Sequence, residues 1–136
     1  KMDGVEEAVL LSTCNRTEFY IISSIEGQQG LRDWLQSERN LDDGFADSLF
    51  ALSDNDALKH IFRVACGLDS MVLGEPQILG QIKQAYALAR KVGSTGPVLD
   101  HLLQRGFSAA KQVRTDTGLA PISVSVRTFL ATANVC

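Results

Sequence analysis

No apolar run in the sequence approaches the roughly 18 residues that a membrane-spanning helix needs, and no basic leader followed by an apolar stretch opens it. An intracellular, cytoplasmic setting without a membrane partner is the expectation. Cysteine is scarce as well. Cys14, Cys66 and Cys136 contain no CxxC pair and are odd in number. They cannot all pair within one chain and make a poor zinc framework, so free thiols and no metal site are expected. Internal repeats, low-complexity segments and the glycine fingerprints of Walker or dinucleotide-binding loops are missing too. Positive charge is not in excess: the formal net charge of -3 excludes a protein that coats nucleic acid by bulk electrostatics, while leaving room for a local basic patch.

What remains is a chain of 136 residues with 45% apolar and 21% charged content, enough for one domain with its own core. Ala8-Val9-Leu10-Leu11 is an apolar run, and Phe19 to Ile25 is rich in aromatic and β-branched residues. Two strands flanking the polar stretch Ser12-Thr13-Cys14-Asn15-Arg16-Thr17-Glu18 are predicted, with that stretch as a turn at a sheet edge. Leu31, Trp34 and Leu35 recur at helical spacing before the loop-like Asn40 to Gly44.

Ser53-Asp54-Asn55-Asp56 offers capping side chains for a helix striped by Leu58, Ile61, Phe62 and Ala65, ended by Gly67. Glu75-Pro76 suits a helix start, followed by Ile78, Ile82, Ala85 and Ala89. Gly93 to Pro97 breaks that helix, and Leu99, Leu102, Leu103, Ala110 and Val113 stripe the next. Ile122 to Val135 reads as a final helix in preference to a β-branched strand. The fold class is thus α+β, a small antiparallel sheet covered by several α-helices. Since two strands do not make a stable sheet alone, either the helices cover it or further strands precede Lys1.

Cys14 lies among polar residues with no apolar neighbour in sequence, which suits a reactive thiol as well as an inert one. Arg16 favours a nearby thiolate and can hold a carboxylate through two parallel hydrogen bonds, or simply be solvated. At about 100° per residue, His60 falls nearly opposite the stripe of its helix, so it is an exposed histidine or a functional one. His101 reads as structural. Gln77 and Gln81 lie one helical turn apart, where both amides can reach one ligand or merely border solvent.

Taken together, Ser12 to Glu18 and the segment Gly67-Leu68-Asp69-Ser70 through Gly74-Glu75-Pro76-Gln77-Ile78-Leu79-Gly80-Gln81 resemble the two signature blocks of the glutamyl-tRNA reductase family. The resemblance continues through Val113-Arg114-Thr115-Asp116-Thr117 and Val124-Ser125-Val126. It implies attack of the Cys14 thiolate on the aminoacyl ester of glutamyl-tRNA, giving a glutamyl thioester that splits one hard reduction into two steps. Hydride from NADPH then yields glutamate-1-semialdehyde, the start of tetrapyrrole and haem synthesis. The family's substrate contacts fall on Thr13, Cys14, Asn15 and Arg16, then on Ser70, Glu75, Pro76, Gln77 and Gln81. His60 matches a histidine important for activity, in orienting the substrate or in proton transfer.

The family normally has an upstream strand with a Gly-x-Asn-His-x-Thr-Ala-Pro segment, and downstream NADPH-binding and helical dimerisation domains; none is in this sequence. Ala120 stands where glycine is usual. Residues 1–136 are therefore expected to be a portion of the catalytic domain that captures the glutamyl group without completing the reduction, in a protein that is a homodimer at full length. Two other readings compete. One is a cysteine hydrolase with a Cys14–His60 dyad; the other is a catalytically silent tRNA-binding module using Lys83, Arg90, Lys91, Arg105, Lys111 and Arg114.

Overall fold

The computed structural model describes residues 2–38, 49–69, 76–113 and 127–131. Strands β1 (Val5–Ser12) and β2 (Thr17–Ser23) form the expected antiparallel hairpin, with Leu10 opposite Phe19 and Ser12 opposite Thr17. Helix α1 (Ile25–Glu38) follows, then strand β3 (Leu49–Ser53) and helix α2 (Asp54–Ala65). Helices α3 (Pro76–Val92) and α4 (Pro97–Val113) precede strand β4 (Arg127–Ala131). The four strands form one antiparallel sheet in the order β1-β2-β4-β3.

The sheet corrects two expectations. The segment 122–135, read as helical, supplies strand β4, which pairs with β2 on one side and β3 on the other. Its β-branched and aromatic residues suit either state, and the deciding term is backbone pairing on both edges, which no local periodicity reveals. Strand β3 was not anticipated, because five residues running straight into a helix show no resolvable alternation. Ser53 is the N-cap residue of α2, but its hydroxyl makes no capping hydrogen bond.

Alternation along the strands builds a core on each face of the sheet. Val9, Leu11 and Tyr20 pack with Leu58, Ile61, Ile82, Leu99, Leu102 and Leu103 from α2, α3 and α4. Ile21 packs on the other side with Leu31 and Leu35 of α1 and Leu49 of β3. Fully burying a residue such as Ile61 contributes about 2 kcal/mol, so the larger core dominates the stability. The α1 side closes through backbone contact: a Cβ at Gly27 would lie 2.3 Å from the Gly4 carbonyl oxygen, and Gly4 has φ 76°.

Glu7, 7% exposed on β1, turns toward α4 and accepts hydrogen bonds from the Val98 and Leu99 amides at 3.0 and 2.7 Å. These N–H groups have no partner inside the helix, so a strand residue acts as the cap that α4 lacks in its own sequence. The preceding loop covers the outer edge of β1: the Ala8 amide donates to the Ser94 carbonyl at 2.7 Å, and the Ser94 hydroxyl donates to the Ala8 carbonyl at 2.9 Å. The hairpin is thereby fixed to the helical layer near its base. Among the described residues no helix is long and apolar enough to cross a membrane.

Candidate active site

The β1–β2 turn is closed by its own polar residues. The Thr13 amide donates to the Arg16 carbonyl at 2.8 Å, while the Thr13 hydroxyl oxygen accepts from the Asn15 and Arg16 amides at 3.2 and 3.1 Å. This side-chain-to-backbone pattern explains why threonine suits the start of the turn. Cys14 and Asn15 are held at the exposed tip. Cys66, by contrast, is partly buried, and that burial pushes its thiol pKa up. Of these two thiols Cys14 is the one presented to solvent.

Below the tip, the side chains of Glu18 and Tyr20 share the helical face of β2 by the period-2 rule. Glu18 has a side chain only 1% exposed, and both of its oxygens are engaged. Oε1 accepts from Arg16 Nη1 at 2.9 Å and lies 3.1 Å from His60 Nε2; Oε2 accepts from the Tyr20 hydroxyl at 2.7 Å. A buried carboxylate is costly unless charged and neutral donors surround it, and here they do. Burial, reinforced by the Glu18 charge, holds the Tyr20 phenol well above its ordinary pKa, so it remains a donor.

Helix α2 ends in a way that carries the second signature block to the first. Gly67, with φ 71°, donates to the Val64 carbonyl at 3.0 Å, and Leu68 donates to the Arg63 carbonyl at 2.9 Å. This left-handed stop, a glycine-dependent reversal of the chain, directs Asp69 back toward the hairpin. Arg16 Nη1 donates to Asp69 Oδ2 at 3.1 Å, and Arg16 Nη2 donates to the Asp69 carbonyl. Asp69 thus sits across the Nη1/Nη2 end of the guanidinium. Three of the five guanidinium donors are committed, and Nε–H with the second Nη2 proton forms an edge without a partner among the described residues.

The predicted site residues are therefore only partly brought together. Thr13, Cys14, Asn15 and Arg16 share the turn, and His60 joins Arg16 through Glu18. His60 is not the exposed histidine that its helical angle allows: its side chain is 13% exposed, because Ala57 and Val64, one turn before and after it, are buried too and widen the packed face of α2 round to it. Gln77 is exposed and Gln81 half-buried on α3, and neither makes a side-chain hydrogen bond to the turn among the described residues. Pro76 starts α3, as expected. Ser70 and Glu75 lie outside the described residues. His101, read as structural, is exposed.

Sequence reasoning missed Glu18, Tyr20 and Asp69 as site members. The available signal was a carboxylate in phase with Tyr20 and Ile22 on the inward face of a strand. No hydrogen bond joins Cys14 to His60 among the described residues; His60 Nε2 instead faces Glu18 Oε1 at 3.1 Å. Lys83 and Arg90 lie over Phe107 and Tyr86 at 5.7 and 5.8 Å, using aromatic faces of their own helical layer. Among the described residues no group of three or more acidic, histidine or cysteine side chains could hold a metal ion.

Residues 1–117 match the family described as glutamyl-tRNAGlu reductase, N-terminal domain. The chain belongs to that family. A glutamyl-tRNA reductase from Methylococcus capsulatus is 51% identical over 124 residues, covering 89% of this chain and 30% of the relative. One from Pseudomonas putida strain GB-1 is 50% identical over 127 residues, covering 93% and 30%. One from Pseudoalteromonas translucida is 50% identical over 121 residues, covering 88% and 29%. The chain thus spans about 30% of the length of the glutamyl-tRNA reductases it matches. Both blocks fall within the matched N-terminal domain, and Arg16 to Asp69 is a contact between them.

Proposed function

We propose that this chain is the part of a glutamyl-tRNA reductase that binds the glutamyl end of glutamyl-tRNA and receives it on Cys14. The observation that carries the reading is the exposed Cys14 thiol two residues from a guanidinium anchored by Glu18 and Asp69, with its Nε/Nη2 edge uncommitted among the described residues. That edge matches a carboxylate bidentately, which suits the free side-chain carboxylate of an esterified glutamate. So held, the glutamyl group brings its ester carbonyl toward the turn.

The Cys14 thiolate attacks the ester carbonyl carbon, and the carbon–oxygen bond to the terminal ribose breaks. The ribose oxygen takes up the proton that the thiol gave, leaving a glutamyl thioester and free tRNA, with no change in oxidation state. The Thr13, Asn15 and Gln81 side chains offer hydroxyl and amide groups for the ammonium and carbonyl ends, with Ser70, Glu75, Pro76 and Gln77 completing the contacts. His60 orients the substrate or moves a proton at the carbonyl oxygen. NADPH, held by a domain outside this sequence, supplies the hydride that converts the thioester to glutamate-1-semialdehyde and regenerates the thiol. Cytoplasmic tetrapyrrole synthesis and a homodimeric full-length protein are parts of the same reading.

The test is covalent. Purified chain mixed with glutamyl-tRNA should acquire one glutamyl group on the Cys14 peptide, released by hydroxylamine, and Cys14→Ala should acquire none. A glutamyl group that maps elsewhere, or that persists in Cys14→Ala, refutes the reading. NADPH-dependent aldehyde formation by these 136 residues alone would overturn the assignment of the reducing half to another domain.

A further inference from the structure

The geometry points to Glu18 as a positioning residue that sets two working groups at once: it turns Arg16 so that its Nε/Nη2 edge is left for substrate, and it fixes the proton of neutral His60 on Nε2, leaving Nδ1 as the acceptor. The assignment rests on the preceding reading only in taking Arg16 and His60 to face the substrate. Its structural basis stands apart from that reading.

Glu18 Oε1 is shared by the Arg16 and His60 nitrogens at 2.9 and 3.1 Å, and the oxygen is too buried for water to substitute. A carboxylate without its proton accepts hydrogen bonds and donates none. A neutral imidazole facing it must therefore present N–H from Nε2, and Nδ1 becomes the lone-pair nitrogen. The same oxygen takes one proton of Arg16 Nη1, while Asp69 takes the Nη1/Nη2 end. What remains of the fork, among the described residues, is the side edge.

Tyr20 completes the device. Its hydroxyl, at 2.7 Å from Oε2, stops the carboxylate from rotating toward solvent, and its burial keeps the phenol protonated. The register places Glu18 opposite Leu11 on β1 and Leu130 on β4, so the carboxylate springs from an inner strand paired on both sides. Its position is set by the sheet, not by a loop. Such rigidity is what a group that aims others needs.

Two measurements test the assignment. The first is the single-turnover acylation of Cys14 by glutamyl-tRNA in the wild-type chain, Glu18→Gln, His60→Asn and the double variant, each checked for folding by circular dichroism. Glu18→Gln keeps the side-chain shape and removes the charge. It should lower the maximal acylation rate on the order of tenfold and raise the half-saturating concentration severalfold. In the His60→Asn background the same change should lose most of its rate effect and keep its effect on half-saturation, because that part acts through Arg16. A purely structural role predicts equal losses in both backgrounds, and that result, or an unchanged acylation in Glu18→Gln, overturns the proposal. If Glu18→Gln does not fold, Tyr20→Phe, which frees one carboxylate oxygen only, should give the same split in smaller measure.

The second measurement needs no activity. In a long-range 1H–15N spectrum of the wild-type chain at alkaline pH, His60 should show a single tautomer protonated on Nε2, while exposed His101 averages between two. His60 protonated on Nδ1, or averaging as His101 does, rejects the assignment. If the wild-type chain takes up no glutamyl group, the reading of its function falls and the imidazole spectrum alone decides the role of Glu18.

Discussion

Replacing Glu7 by alanine should destabilise the chain by about 3 kcal/mol, although the residue lies far in sequence from the helix it supports. Its two oxygens accept from the Val98 and Leu99 amides, the second and third residues of α4, at 3.0 and 2.7 Å. Losing an N-cap costs about 1 kcal/mol, and up to about 2 in favourable cases. Hydrogen bonds to a charged group are worth about 1.5–3 kcal/mol, and a carboxylate at a helix N-terminus gains a few tenths more from the dipole. These terms overlap, so about 3 kcal/mol is the sum expected for a carboxylate that is 7% exposed. Water replaces it poorly, because the Glu7 side chain fills the space beside Gly96, where even an added Cβ would lie 2.7 Å from it. For a chain of this size the loss corresponds to roughly 9 °C in melting temperature. Urea denaturation of wild type, Glu7→Gln and Glu7→Ala supplies the assay. Glu7→Gln should lose about half as much, since one amide oxygen still accepts while the amide nitrogen faces a donor. Faster hydrogen exchange at the Val98 and Leu99 amides should accompany the loss. A Glu7→Ala destabilisation below about 1 kcal/mol, or unchanged exchange at those two amides, would refute the cap.

Four further outcomes follow from the geometry. The raised pKa of buried Tyr20 means that the unfolded chain releases this proton near pH 10 while the native chain keeps it, so the native state loses up to about 1.4 kcal/mol per pH unit as pH rises above about 10; the stability difference between wild type and Tyr20→Phe, followed from pH 8 to 11, should show this slope, and a flat difference would contradict the burial. Gly27→Ala sets a Cβ 2.3 Å from the Gly4 carbonyl oxygen, backbone against backbone, and should cost about 3 kcal/mol in thermal unfolding, whereas Gly80→Ala, with nothing within 4 Å, should be neutral or slightly stabilising. Arg16→Lys keeps the charge but cannot contact Glu18, Asp69 and a carboxylate together, so half-saturation by glutamyl-tRNA should rise at least about tenfold in the acylation assay, with little change disproving the fork. Iodoacetamide at neutral pH should label Cys14 at least about tenfold faster than Cys66, whose burial raises its pKa, and peptide mapping that finds Cys66 equally reactive would contradict that placement.

Helices α2, α3 and α4 were legible in the sequence because each carries a stripe and a recognisable start or stop. Pro76 and Pro97 begin α3 and α4, and Gly67 and Gly93 reverse the chain after α2 and α3 with positive φ. The β1–β2 hairpin was legible for a similar reason, with two runs of strand-forming residues around a polar turn. Strands β3 and β4 were not. Each has five residues, and what makes them strands is pairing with segments more than seventy residues apart, from Leu49 to Ala131 and from Thr17 to Ala131. Local propensity is silent on such terms.

The candidate site divides along the same line. Cys14 and Arg16 stood out because polar residues cluster there, and the turn that presents them is built from hydrogen bonds within four residues. Glu18 was read as the polar end of that turn. Its contacts depend on strand phase: one residue further along, it would have faced Phe19's side of the sheet and met neither Arg16 nor His60. Asp69 was hidden in a different way, since its contact with Arg16 spans 53 residues and depends on the reversal at Gly67.

On the proposed reading, these placements separate the task of reacting from that of aiming. Cys14 sits at the exposed tip of the hairpin, where the proposed acyl group could reach it. The groups that would orient the acyl group are tied to the sheet through Glu18, which is 1% exposed, and to the end of α2 through Asp69. A nucleophile on a turn tolerates small displacements when the carbonyl it attacks is held elsewhere, whereas a carboxylate clamp on the same turn would move with it and lose its aim. Arg16 meets that requirement despite lying on the turn, because the buried Glu18 of β2 and Asp69, 53 residues away just past the end of α2, both hold its guanidinium.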